Sequence, residues 1–118
     1  MLLALLFFLV QALGVGVLIS NHANAWNNVA AAGNGLSNII DCYGANTISV
    51  FGNVSGATTI QVYYSQDGVN FYSAGTNRQI VLAGAGNFVI PDFLLGARYL
   101  QLQTTGAVTL TVTVSGKP

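Results

Sequence analysis

The sequence predicts an α+β protein, in which a long N-terminal hydrophobic α-helix precedes an all-β domain. Residues 1–19 contain one polar side chain, Gln11, and no charged one. From Trp26 to about Asp41, apolar residues recur at three- and four-residue spacings, which is typical of one face of a helix. From Tyr43 onward, apolar and polar residues alternate, as they do in strands with one buried face.

The apolar run 1–19 admits three interpretations. A secretory signal would account for the run and for a small-residue cleavage site at Ala23 and Ala25, but such signals begin with positive charge, which this run lacks. As a helix, the run would extend about 28 Å, close to the roughly 30 Å hydrocarbon core of a bilayer, so a transmembrane span is the second interpretation. The third is an assembly helix surrounded by other helices, because the run is apolar on every side.

The helical pattern does not stop at Ile19. It continues as a stripe to Asp41, so one helix of about 60 Å is predicted, with breaks near residues 20–25 or 33–35 as the alternative. We therefore divide the chain into an assembly helix, residues 1–41, and a β-sandwich domain, residues 42–118. The apolar residues expected to make the assembly contacts are Leu2, Leu5, Phe7, Phe8, Val10, Leu13, Val17, Ile19, Trp26, Val29, Leu36 and Ile40.

The alternating part of the sequence predicts about seven strands. The clearest hairpin lies at Asp67-Gly68, because glycine supplies positive φ there and β-favouring aromatics stand on both sides. Turn signals recur at intervals of about 8 to 12 residues, which favours an immunoglobulin-like sandwich. The predicted strands are 47–53, 58–65, 69–74, 78–83, 87–91, 98–105 and 107–115.

Composition limits the partners that this chain can have. Hydrophobic residues make up 53% of the sequence and charged residues 5%, with a formal net charge of zero. Nucleic-acid binding is not expected, because neutralising phosphates requires clustered Lys and Arg, and the three present are scattered. A near-neutral exterior promotes association with other copies.

The sequence contains few residues that could act in catalysis or bind a metal. It has no Glu, one His, one Cys and three widely separated Asp residues, and the metal-ligand spacings His-x-x-His and Cys-x-x-Cys do not occur. We therefore predict that the chain is not an enzyme and holds no cofactor or metal. Asn53-Val54-Ser55 is the single N-glycosylation sequon, which makes Asn53 the candidate site of a glycoprotein.

The plan of an uncharged apolar helix leading into a compact β-sandwich resembles archaeal type IV pilins and their archaellin relatives. The resemblance covers the whole chain as architecture. It implies that a leader is removed ahead of Met1, that the helices bundle along a filament axis and that the sandwiches form the outer wall. Bacterial type IV pilins carry Glu at the fifth position, where this chain has Leu5, so the resemblance favours the archaeal branch.

A more local similarity involves two short segments. Residues 62–71 and 97–102 look like the Ser-x-Asp-Gly-x-x-aromatic hairpin and the late Ala-Arg-Tyr strand of discoidin-type and phage-borne β-sandwiches. This likeness supports a sandwich.

The preferred hypothesis is a structural subunit of an extracellular helical filament at the cell surface, a type IV pilus-like polymer used for adhesion. Its partners would be identical subunits in a homopolymer, with the membrane holding the chain before assembly. One alternative is a membrane-anchored viral capsid or spike protein. Another is a surface carbohydrate-binding module that stacks glycans on aromatic rings. The candidate stacking residues are Tyr63, Tyr64, Phe71, Tyr72 and Tyr99.

Overall fold

The computed structural model describes residues 21–118, which form ten β-strands and a single-turn 3-10 helix, Thr76–Arg78. The strands are β1 (Asn21–Ala30), β2 (Gly35–Leu36), β3 (Ile40–Asp41), β4 (Thr47–Val54), β5 (Thr58–Ser65), β6 (Tyr72–Ser73), β7 (Gln79–Leu82), β8 (Gly86–Leu94), β9 (Tyr99–Thr104) and β10 (Thr109–Lys117).

The strands form two sheets in which every pairing is antiparallel. The first sheet has four strands in the order β1-β10-β4-β8. In the second, β9 and β5 are the central pair. The short strands β2 and β3 extend β9 on one side, and β6 and β7 extend β5 on the other.

Both sheets contribute their inward-facing side chains to one hydrophobic core. In β10 the buried residues Leu110, Val112 and Val114 alternate with threonines. Buried and partly exposed residues also alternate through β9 and over residues 58–63 of β5. Burial of alternate residues follows from the pleat of a strand, which sends successive side chains to opposite faces. Each of the seven predicted strand segments overlaps an observed strand from β4 to β10.

The predicted helix over residues 26–41, and with it the α+β fold class, is wrong. This part of the chain forms β1, β2 and β3, and residues 21–118 contain no α-helix, so the described fold is all-β. β1 pairs with β10 over its whole length, while β2 and β3 pair with β9. Strands from residues 21–41 therefore belong to both sheets.

The first step of the spacing that suggested a helix, from Trp26 to Val29, spans an irregularity in β1. The register shifts at Ala25 and again at Asn28, so the chain carries an extra residue at each of these bulges. Ala25 and Trp26 are consequently both buried, whereas Val29 is 42% exposed. Six asparagines between residues 21 and 38 also disfavour a helix, because Asn has low helix propensity.

The assembly residues from Leu2 to Ile19 lie outside the described residues. Of the other four, Trp26 and Ile40 are buried in the core, while Val29 and Leu36 are 42% and 57% exposed. These four residues do not form the single apolar stripe that was predicted. Within residues 21–118, no helix has the length and apolar character needed to cross a bilayer.

The two outer strands of the four-stranded sheet both depart from regular geometry. In β1, Asn28 adopts a left-handed backbone with φ of 57°, and its N–H donates to Thr111 Oγ1 at 3.2 Å. In β8, Pro91 lies inside the strand at the point where the register with β4 shifts. Proline has no N–H to offer to a further strand.

Candidate functional site

The connection between β5 and β6 is built around one carboxylate, that of Asp67. Its Oδ1 accepts hydrogen bonds from the backbone N–H groups of Val69 and Asn70, at 2.8 and 2.9 Å, and from the Ser65 hydroxyl at 2.9 Å. Its Oδ2 accepts one from the Asn70 side-chain amide at 3.0 Å. These donors, the backbone N–H of Asn70 foremost, hold the pKa of Asp67 well below its usual range.

The predicted turn at Asp67-Gly68 lies at this position, although the connection is longer than a two-residue hairpin. Gly68 has φ of +77°, a left-handed conformation that favours glycine. The Tyr99 ring lies beside it, 3.5 Å from where a Cβ would be. Because Asp67 caps the turn and Gly68 permits it, the hairpin is locally determined by its own sequence.

A cleft of about 350 Å³ opens between this hairpin and the segment after β8. Tyr64 and Tyr72 stand directly opposite each other on β5 and β6, so their side chains leave the same face of the sheet. Tyr64 is anchored by its hydroxyl, which donates to the Leu94 carbonyl at 3.2 Å, whereas Tyr72 is 70% exposed. The lining residues are Tyr64, Ser65, Gln66, Asp67, Asn70, Tyr72, Ser73, Gly96 and Ala97.

Gly96 sets the distance between the two walls of the cleft. A Cβ on this residue would lie 2.9 Å from Cε2 of Tyr64, which is closer than atoms of this kind approach. Any larger residue at this position would require the Tyr64 ring or the segment after β8 to shift.

The electrostatics of the cleft are dominated by Asp67, which is the only charged residue among the described residues that line it. The nearest cation along the chain, Arg98, follows the lining residue Ala97 and is engaged elsewhere. Its Nε and Nη2 donate to the two carboxylate oxygens of Asp41 at 3.0 and 2.9 Å. The same guanidinium lies 5.2 Å from the ring centre of Tyr43 and 5.1 Å from that of Tyr99.

The structure brings together two of the five candidate stacking residues, Tyr64 and Tyr72. Tyr63 projects from the opposite face of β5, where its hydroxyl donates to Gln103 Oε1 at 2.9 Å. Tyr99 packs against the hairpin and Arg98 outside the cleft, and Phe71 does not line it. The sequence interpretation missed the polar rim, because Asp67 and Gly96 were interpreted only as turn signals and Asn70 was placed within the predicted strand 69–74.

Asn53, the candidate glycosylation site, lies exposed on the outer face of β4. Its side-chain amide donates to Asn87 Oδ1 on the neighbouring strand β8 at 2.8 Å. Val54, the middle residue of the sequon, is buried in the core and ends β4, and Ser55 lies in the bend that follows, so the sequon spans the end of this strand. Modification of Asn53 stays a prediction.

A second cavity, of about 40 Å³, lies near the start of β1 and is lined by His22, Ile40, Cys42 and seven others. Cys42 is buried, and its thiol donates to the Ile40 carbonyl at 3.7 Å. Burial, with the nearby Asp41 charge as a smaller cause, raises the pKa of this thiol to about 11. The thiol is therefore neutral and packs as a small apolar group. Among residues 21–118 no three His, Cys, Asp or Glu side chains form a metal-binding group.

No protein-family model and no curated protein matches this sequence. Among solved structures, the chain is similar to the crystal structure of the SPBc2 prophage-derived protein YomS, with a TM-score of 0.50 and 14% identity over 83% of this chain and 96% of that one. A second match, the crystal structure of PirA, has a TM-score of 0.41 and 9% identity over 82% of this chain and 91% of that one. At this identity the likeness to YomS concerns the fold alone.

The comparison also corrects the predicted family. A type IV pilin would carry an N-terminal helix that continues beneath the sandwich, but residues 21–41 are strands, and the fold is similar to that of a prophage protein. The assignment to archaeal type IV pilins, with its core of bundled helices extending to Asp41, is therefore wrong.

Proposed function

We propose that this chain is a non-catalytic, carbohydrate-binding β-sandwich displayed on the surface of a cell or virion. The observation that carries the proposal is the cleft at the hairpin, where two tyrosine rings stand beside a polar rim. A sugar ring has apolar C–H faces and a polar edge of hydroxyls, so it needs both kinds of surface at once. Binding sites for small molecules combine aromatic walls with a few placed polar groups in this way.

The arrangement of the cleft supports a glycan better than an apolar ligand. Tyr72 offers an exposed ring face, and Tyr64 is held in place by its hydrogen bond to Leu94. Around them, Gln66, Asn70 and Ser73 supply amide and hydroxyl groups that donate to and accept from sugar hydroxyls.

An extracellular location belongs to the same proposal, because a surface glycan is then within reach. An anchoring or assembly role for the apolar run 1–19, with a membrane or identical subunits as its partner, also stays a proposal. The low charge of the chain supports contacts of this kind, since few ionic groups have to be desolvated.

The test is binding of the purified protein to a glycan array, followed by titration calorimetry on the glycan bound most tightly. Replacing Tyr72 by Ala removes the exposed stacking face, and we expect at least a tenfold loss of affinity, which corresponds to about 1.4 kcal/mol. The matched control is Tyr43→Ala, since Tyr43 is also 70% exposed but does not line the cleft.

Two outcomes would contradict the proposal. One is that the protein binds no glycan on the array. The other is an equal loss of affinity for Tyr72→Ala and Tyr43→Ala, which would place the bound sugar away from this cleft.

A further inference from the structure

We infer that Asp67 is the specificity-determining residue of this cleft, so that it accepts neutral glycans and rejects those that carry carboxylate or sulfate groups. The inference rests on the proposed carbohydrate function and names the chemical class of its ligand. Three observations support it: the position of the carboxylate, its remaining hydrogen-bonding capacity and the lack of any cation among the residues that line the cleft.

The Asp67 carboxylate is held in one orientation by the chain itself. Its Oδ1 receives three hydrogen bonds from the hairpin, from Ser65, Val69 and Asn70. A side chain fixed in this way loses little further freedom when a ligand binds, so its contribution to recognition is not offset by an ordering cost.

The other carboxylate oxygen of Asp67, Oδ2, can accept a further hydrogen bond. Oδ2 receives a single hydrogen bond, from the Asn70 amide, while each oxygen of an ionised carboxylate offers about two lone-pair sites. A hydroxyl of a neutral sugar lying against Tyr72 can donate to this oxygen. Hydrogen bonds to an ionised acceptor are stronger than those between neutral groups.

An acidic sugar would be repelled by the Asp67 carboxylate. Its carboxylate or sulfate would lie close to the Asp67 charge, and none of the nine lining residues is Lys, Arg or His. Arg98, the nearest cation in sequence, is paired with both oxygens of Asp41. The anion would therefore be repelled at short range with no compensating partner.

The experiment compares matched pairs of oligosaccharides that differ in oxidation at C6: oligogalactose with oligogalacturonate, oligoglucose with oligoglucuronate, and oligomannose with oligomannuronate. Binding of each is measured by calorimetry at low salt. For the pair whose neutral member binds, we expect the wild-type protein to prefer that member at least tenfold.

The diagnostic variant is Asp67→Asn. Asparagine keeps an oxygen that accepts from the N–H groups of Val69 and Asn70, so the turn is retained while the charge is removed. We expect the preference for the neutral sugar to shrink at least fivefold. The control is Asp92→Asn, which removes one negative charge from β8, where Asp92 accepts hydrogen bonds from Ser49 and Lys117 and does not line the cleft.

A salt titration of the wild-type protein supplies a second readout that needs no variant. Because ions screen the repulsion, the preference for the neutral sugar should fall as salt is raised. An unchanged preference in both the Asp67→Asn variant and the salt series, with binding still dependent on Tyr72, would overturn this inference and leave the proposed function standing. Failure of the wild-type protein to bind any of the sugars, together with an empty glycan array, would overturn both.

Discussion

Gly52 illustrates how the absence of one side chain sets the packing of the four-stranded sheet. It faces the core on β4, in register with Val112 on β10 and Phe88 on β8. A Cβ at this position would lie 2.8 Å from both Phe88 Cε1 and Val112 Cγ2. The glycine thus makes room for a large aromatic ring from the neighbouring strand.

Replacing Gly52 by Ala should therefore overpack the core. We expect the free energy of unfolding to fall by about 1 to 3 kcal/mol, the usual cost of inserting a methyl group into a filled interior. Urea denaturation measures this change. Gly84→Ala is the control, because nothing lies within 4 Å of its Cβ position, and equal effects of the two substitutions would contradict this account of Gly52.

At the scale of elements, alternation and turn signals together located β4 to β10, and burial of alternate residues is clearest in β9 and β10. The same reasoning failed for β1. Its bulges at Ala25 and Asn28 change the side-chain period, so Trp26 and Val29 fall at a helical spacing within a strand. Pairing with β10 is a contact between residues 79 to 95 positions apart in sequence, which local periodicity does not report.

Trp26 offers a direct test of β1 as an integral strand. Its side chain is 3% exposed and belongs to the common core, so Trp26→Ala should lower the free energy of unfolding by about 3 to 5 kcal/mol. Val29→Ala, at a position of the same strand that is 42% exposed, should cost less than about 1 kcal/mol. Urea denaturation of both variants is the measurement, and similar losses would contradict the difference in burial between the two side chains.

The candidate site was only partly predictable for a related reason. Asp67-Gly68 is a local turn signal, and the tyrosines of β5 and β6 are adjacent in the predicted hairpin. Gly96 lies more than twenty residues further along the chain, and its contact with Tyr64 depends on how the two sheets pack. A cleft formed by segments distant in sequence could therefore be identified only from the structure.

For the molecule as a whole, the three aspartates are the only acidic side chains in the sequence, and all three have lowered pKa values. The causes are Arg98 for Asp41, the backbone N–H groups of the hairpin for Asp67, and the Ser49 hydroxyl together with Lys117 for Asp92. A carboxyl whose pKa is lower in the folded than in the unfolded state stabilises the fold at pH values above its unfolded pKa of about 3.9.

That stabilisation is lost as pH falls through the folded pKa values. We expect the melting temperature to decrease below about pH 4 and to keep decreasing towards about pH 2. Thermal melts across this range provide the measurement, with Asp67→Asn expected to flatten the acid limb because one of the three groups no longer titrates. A melting temperature that stays constant down to about pH 2 would contradict this prediction.

The irregular outer strands of the four-stranded sheet have a consequence for a chain with so little charge. Regular edges offer unpaired N–H and C=O groups on which another copy can build a continuous sheet, and proteins commonly use charged side chains to prevent this. In the four-stranded sheet, the two bulges of β1 and Pro91 in β8 interrupt the row of unpaired backbone groups at the two outer strands. In this sheet, irregular backbone geometry therefore protects against amyloid-like stacking, as charged side chains on edge strands do in other proteins.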